Sequence, residues 1–402
     1  MSDMKPNKQS KTWCPLPWVH SHCSAIGTFK PCCNAEGRDN PTSIRNSDYD
    51  LTSWFHGAEM NQLRSDLNNG IKNSMCGRCW RTEETAGTSI RTSMQNKFDS
   101  MVEDGPRIQY LDLKLTNQCN LRCRMCSPSD SNLIAEERDS LLAQGLTPPS
   151  NYAQLNDKTL VSMKQELQQD VYTILEAGVK VLKFTGGEPL VQQPVLDVLH
   201  YIVDKGYAKD IRLQLTTNAT KFSTRFMDLF KEFDRVHLNI SVDGYGGVYE
   251  YIRYPYKWSN FNDRIELLKE VTYNSTKISY DFTCVPQLFN IENLATLQQH
   301  VGKSNLYMNN ILHPEDNYNS LTMVPLDILK QARDDIQYCN SSNILINSIN
   351  SLIENYTAPT TAQLKTMVDS IQVLDINRKQ HYEDYLEPRT RDFITESIRK
   401  VS

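Results

Sequence analysis

The chain has 402 residues, 39% of them hydrophobic and 23% charged, with 43 basic against 48 acidic side chains and a net charge of −5. This suits a folded chain with room for two or three domains, or for one large barrel with additions. It excludes a strong electrostatic pull toward nucleic acid or an anionic membrane, though a local basic patch stays open. Met1–Lys11 is polar and lacks the apolar segment of a secretory signal. No run of about 18 apolar residues appears, so no membrane span is expected and the cytoplasm is the expected location. Eleven cysteines are an odd number in a chain too large to need disulfides. They point to thiolate ligands in a reducing compartment.

Residues 1–104 read as turn-rich, with helical periods only at Glu59–Leu67 and Glu83–Met101. Six cysteines lie here: Cys14, Cys23, Cys32, Cys33, Cys76 and Cys79. A region with so few core residues is expected to need a metal to hold it. Cys76-Gly77-Arg78-Cys79 is a C-x2-C pair, which with two further cysteines also suits a structural zinc site. His20 and His22 are possible ligands, but polar turn roles fit them better.

Residues 105–312 alternate strand and helix patterns. Strands are predicted at Ile108–Leu115, Val179–Phe184, Ile211–Thr216, Val236–Val242, Ile278–Val285 and Leu306–Leu312. Helices are predicted at Asp130–Gln144, Lys158–Glu176, Pro194–Lys205, Ser223–Phe233, Asn260–Thr272 and Ile291–Val301. Gly145 and Gly178 stand where helix-ending glycines belong. Six such repeats predict an α/β fold on a parallel sheet. Residues 313–402 read as helices at Pro325–Tyr338, Ser341–Asn355 and Thr361–Leu374, then a polar tail with Glu387-Pro388-Arg389.

The chemistry concentrates after the first strand of that repeat. Cys119, Cys123 and Cys126 follow it with C-x3-C-x2-C spacing. Three thiolates on one short loop can hold three corners of a 4Fe–4S cubane, leaving one iron open for a ligand. Zinc fits less well, because its structural sites take four protein ligands. Thr185-Gly186-Gly187-Glu188-Pro189 follows the second strand; glycines there permit close backbone approach to a ligand. Thr216-Thr217-Asn218 ends the third strand, and Ser241-Val242-Asp243-Gly244 ends the fourth. Turn formation is an equally good reading for Asp243.

In this order the motifs resemble the radical S-adenosylmethionine (SAM) superfamily over about residues 105–312. The resemblance implies a partial (β/α)6 TIM-like barrel with a cluster at the C-terminal mouth of its strands. It implies reductive cleavage of SAM to a 5′-deoxyadenosyl radical that abstracts hydrogen. It implies Cys119, Cys123 and Cys126 as cluster ligands. It assigns SAM contacts to Gly186, Gly187, Glu188, Pro189, Asn218, Ser241 and Asp243, with Arg253 on the carboxylate. Met125 stands where many members place an aromatic residue against adenine; a thioether can pack on the same face.

The six N-terminal cysteines resemble those of SPASM and twitch domains, which carry auxiliary 4Fe–4S clusters, although those domains usually follow the barrel. The resemblance implies Cys14, Cys32, Cys76 and Cys79 as one ligand set, with Cys23 and Cys33 competing. The expected organisation is an auxiliary-cluster domain (1–104), a barrel (105–312) and a helical extension (313–402). The expected function is a radical SAM oxidoreductase or modifying enzyme acting on a peptide or protein. The alternatives are oxidation of a small alcohol or sugar, and a zinc-binding interaction module on an inactive barrel. A reductant such as flavodoxin or ferredoxin is implied. Neither nucleic acid nor a membrane is an expected partner. Cys284, near the fifth strand's end, reads as a buried small hydrophobe rather than a hydrogen donor, and Cys339 has no assigned role.

Overall fold

The computed structural model describes residues 5–25, 27–36, 50–102, 105–152, 165–273, 275–302, 306–308, 318–339 and 343–402. Eight strands among them are β1 (His20–Cys23), β2 (Phe29–Lys30), β3 (Tyr110–Leu113), β4 (Val181–Phe184), β5 (Arg212–Thr217), β6 (Arg235–Ser241), β7 (Ile278–Thr283) and β8 (Leu306–Tyr307). The sheet runs β2-β1-β3-β4-β5-β6-β7-β8. β1 pairs antiparallel with β2 and parallel with β3, and the β3–β4, β4–β5 and β7–β8 pairs are parallel. Alternation is clearest in β6, where Val236, Leu238 and Ile240 are buried and the residues between them are not.

All six predicted strands form, to within two residues at each described end. Residues 309–312 of the last one lie outside the described residues. The helices Asn132–Ala143, Gln193–Asp204, Thr224–Phe230, Trp258–Tyr273 and Leu294–Val301 occupy the predicted crossovers. So does Gln165–Glu176, and the predicted start of that helix, 158–164, is not described. Gly145 and Gly178 take positive φ, 73° and 97°, as helix-ending glycines do. The α/β class is as expected, but the sheet gains two strands from a segment read as turns. His20-Ser21-His22-Cys23 offers too short and polar a run to announce a strand, and β1 forms by pairing with β3 about ninety positions later in the sequence.

The chain divides into two compact units: residues 1–117, 156–216 and 223–237, and residues 118–155, 217–222 and 238–402. In the first unit, the N-terminal segment has more core than its sequence suggested. Trp13, Trp18, Leu51, Trp54, Phe55, Met60, Leu63 and Leu67 are buried. Arg64 is buried among them, donating from Nε to the Pro17 carbonyl (2.8 Å) and from Nη2 to that of Phe55 (2.7 Å). His20 and His22 are buried strand residues rather than turn residues. His20 Nδ1 lies 2.8 Å from the Pro31 carbonyl, and His22 Nδ1 lies 3.5 Å from Asp112.

The second unit ends in helices Leu326–Tyr338, Asn343–Glu354, Thr361–Arg378 and Pro388–Val401. The last replaces the expected polar tail. Pro388 sits in its first turn, where a missing N–H costs nothing, and Thr390, Ile394 and Ser397 form a narrow buried stripe. So few apolar positions fall below what sequence periodicity can register. No described helix is long and apolar enough to cross a membrane.

Candidate metal and cofactor site

The cysteine loop of the second unit is fixed mainly through its backbone. Arg122 and Arg124 donate their N–H groups to the carbonyls of Tyr254 (2.7 Å) and Ile252 (2.9 Å). Cys119 N–H bonds Asn132 Oδ1 (2.9 Å), Cys126 N–H bonds the Cys123 carbonyl (3.0 Å), and Ser131 Oγ donates to the Leu121 carbonyl (2.8 Å). Asn151 donates to the carbonyls of Arg124 (3.0 Å) and Cys126 (2.8 Å). A loop this fully bonded holds its thiols in place before any ligand arrives. The Cys126 thiol donates to Cys123 and holds the Cys123 pKa below its ordinary value; burial opposes this and Arg253 assists it. The same bond, with burial, raises that of Cys126.

Arg253 and Asp243 are buried and paired, Nη2 to Oδ2 at 2.6 Å. Asp243 Oδ1 also accepts from the Val285 N–H (2.7 Å). Asp243 therefore spends its carboxylate inside the unit, on Arg253 and on the backbone after β7. Burial works against the Arg253 charge, but Asp243 outweighs it and holds the guanidinium above its ordinary pKa. Arg253 Nε is buried without a hydrogen-bond partner among the described residues. Such an orphaned donor is expensive unless a ligand oxygen meets it.

Asn218 ties the end of β5 to the cysteine loop. Its Nδ2 donates to Asn120 Oδ1 (2.9 Å), and its Oδ1 accepts from the Thr220 N–H (3.0 Å) and hydroxyl (2.7 Å). Ser241 ends β6 half-buried, and Met125 is half-buried on the loop. Cys284 is fully buried, accepts from Asn290 Nδ2 at 3.6 Å, and fits the structural reading given to it. Cys339 is likewise buried.

In the first unit, Gly186 and Gly187 adopt φ of 74° and 54°. A Cβ on Gly186 would stand 2.7–2.9 Å from three carbons of Lys114, so this turn accepts glycine only. Gln192 Nε2 donates to the Gly186 carbonyl (2.9 Å). Glu188 Oε1 accepts from Leu190 N–H (3.0 Å), capping the short turn Pro189–Val191.

Cys14, Cys32, Cys76 and Cys79 line one cavity of the first unit, with Leu63, Met75 and Ile90. Cys33 is exposed, and Cys23 is buried on β1; neither lines it. Burial pushes the thiols of Cys14, Cys32 and Cys76 up, that of Cys76 to about 12. Without a bound cation these groups are protonated, and metal binding would release the protons. Among the described residues, no three His, Cys, Asp or Glu side chains surround one point closely enough to hold a single metal ion. A cluster spans several atoms, and both soft-sulfur sets fit one by donor chemistry: three cysteines with a backbone-fixed loop, and four around an apolar cavity.

Sequence reasoning missed Arg124 and Asn151. Arg124 lies inside the cysteine motif and is fully buried, and Asn151 follows the Pro148-Pro149 turn. Only an arginine between two expected ligands could have drawn notice.

Residues 113–297, a little under half of the chain, match the family model for the radical SAM superfamily. A GTP 3′,8-cyclase of Campylobacter lari is 33% identical over 139 residues, 35% of this chain and 36% of that protein. The GTP 3′,8-cyclase of Trichodesmium erythraeum is 31% identical over 136 residues, 34% and 35%. The chain thus matches about a third of the length of these curated relatives. Among solved structures, "Native anSMEcpe with bound AdoMet" covers 57% of this chain and 59% of its own at 15% identity and a TM-score of 0.38. Streptococcus suis SuiB bound to S-adenosylmethionine covers 69% and 56% at 13% identity and 0.38.

Proposed function

We propose that this chain is a radical SAM enzyme in which Cys119, Cys123 and Cys126 ligate a 4Fe–4S cluster. The observation that carries the reading is the rigid three-cysteine loop beside a buried Arg253 with an unpaired Nε. When bound, the cluster supplies the electron that cleaves SAM to methionine and a 5′-deoxyadenosyl radical. Asp243 fixes the Arg253 guanidinium, which offers Nε–H to the SAM carboxylate. Asn218 holds the loop, and Ser241 and Met125 supply polar and thioether contacts. Gly186, Gly187, Glu188 and Pro189 are assigned to the amino group, with glycine allowing backbone approach and Glu188 shaping the turn.

A second cluster is assigned to Cys14, Cys32, Cys76 and Cys79, on the strength of their shared cavity. Residues 1–104 then form the auxiliary-cluster region, 105–312 the SAM core and 313–402 the extension. The substrate reading is a peptide or protein, with electrons from a flavodoxin- or ferredoxin-like donor. A small-molecule substrate is the second reading, favoured by relatives named for a reaction of GTP. The test is anaerobic reconstitution with iron and sulfide, then reduction with SAM. Release of 5′-deoxyadenosine, abolished by Cys123→Ala, is expected. A cluster-replete protein that releases none overturns the proposal.

A further inference from the structure

Arg124 sits between two of the three loop cysteines, yet its side chain turns away from solvent altogether. Its Nε donates to the Tyr251 carbonyl (2.9 Å), and its guanidinium lies 3.6 Å from the centre of the Tyr251 ring. Nη2 reaches the C-terminal extension, pairing with Asp375 Oδ1 and donating to Gln380 Oε1 (3.1 Å). Asp375 is fixed in turn, because its Oδ2 accepts the Tyr382 N–H (2.9 Å). The backbone makes this return possible. Lys379 takes a left-handed φ of 53° after the helix Thr361–Arg378, bending the chain so that Gln380 faces the same arginine. Gln380 Nε2 also donates to the Glu250 carbonyl (3.4 Å).

The main chain of Arg124 is held as firmly as its side chain. Its N–H bonds Ile252, and its carbonyl accepts from Asn151. One residue therefore joins the cysteine loop, the segment Tyr251–Arg253 and the end of a helix some 250 positions later; the Arg124–Asp375 separation is 251. A buried guanidinium needs such partners, and its planar fork serves two of them at once. We propose that Arg124, Asp375 and Gln380 form a clasp through which the C-terminal extension positions the cysteine loop and, through Tyr251 and Ile252, Arg253. All three are positioning residues. The inference rests on the reading of Cys119, Cys123 and Cys126 as cluster ligands.

The test uses the full chain, reconstituted anaerobically, as wild type and as Asp375→Asn, Arg124→Lys and Gln380→Ala. Four quantities are read: far-ultraviolet circular dichroism, 5′-deoxyadenosine release against SAM concentration, bound iron, and the paramagnetic resonance spectrum of the reduced protein with and without SAM. Asp375→Asn and Arg124→Lys should keep the wild-type dichroism. They should lose about tenfold in kcat/KM for SAM, the size expected for one charge-assisted bond. Their spectral change on adding SAM should shrink, which a merely structural clasp would not cause. Wild-type kinetics within about twofold and an unchanged spectrum in all variants overturn the clasp. If the charge variants do not fold, Gln380→Ala decides: a loss of about threefold or more supports the proposal and none overturns it. A wild type that binds iron but releases no 5′-deoxyadenosine removes the reading beneath it instead.

Discussion

Glu137→Gln should destabilise the second unit by about 3 kcal/mol, because it leaves a buried arginine without a counter-charge. Glu137 lies on the helix Asn132–Ala143 that follows the cysteine loop, and Arg378 ends the helix Thr361–Arg378. Their side chains are 1% and 0% exposed. The carboxylate accepts from Arg378 Nε (3.0 Å) and Nη2 (2.7 Å), from Tyr152 OH (2.7 Å) and from Asn377 Nδ2 (2.9 Å). Glutamine keeps the shape and one acceptor oxygen but removes the charge, so almost no cavity forms. Burial raises the Glu137 pKa, but the bonds from Arg378 outweigh it and hold it below the ordinary value. A depressed carboxylate stabilises the fold fully above its unfolded pKa, near 4.3. That contribution is lost as pH falls through the lower folded value. Urea unfolding followed by circular dichroism at neutral pH and at acid pH checks both parts. The variant's deficit should be full at pH 7 and shrink only below about pH 4. Replacing both partners, as Glu137→Gln with Arg378→Met, should recover part of the loss, since no charge is then stranded. A single-variant deficit under about 1 kcal/mol, the range of exposed pairs, refutes the reasoning.

Two further outcomes follow from the first unit. Cys76→Ser should lower reconstituted iron from about eight to about four per chain, four being the content of one cubane. Unchanged iron, or a tightly held zinc in the wild type, removes the auxiliary-cluster assignment. Gly186→Ala should raise KM for SAM several-fold and cost about 1–2 kcal/mol of stability, from the left-handed φ of 74° and the approach to Lys114. A wild-type KM and melting point would show that the turn tolerates a side chain.

The six βα units were legible because each is local: an apolar run, a glycine or polar breaker, then a helical period. The C-x3-C-x2-C and C-x2-C spacings stand out for the same reason, since each is written along a few residues. Cys14, Cys32, Cys76 and Cys79 are brought to one cavity, although Leu63 and Met75 between them carry no signal that they belong to its wall. What escaped is non-local. β1 exists by pairing with β3, and nothing in His20–Cys23 alone distinguishes a buried strand from a polar turn. Asp243 and Arg253 were read as separate ligand contacts. At ten positions apart, across the short helix Gly247–Ile252, the sequence does not reveal that they pair with each other.

That pairing changes what each residue can contribute. An arginine buried without a carboxylate would be costly to keep charged, and one fully consumed by a carboxylate would have nothing left for a ligand. Asp243 avoids both outcomes by engaging only Nη2 while its other oxygen is held by the Val285 N–H. The guanidinium stays charged, its plane is set by a partner rooted after β6, and Nε remains without a protein partner among the described residues. At Arg124 the bonds from Nε and Nη2 go to the protein, while Nη1, like Nε of Arg253, is buried without a hydrogen-bond partner among the described residues. Under the proposed function, Arg124 serves to hold the cysteine loop and Arg253 to meet the ligand.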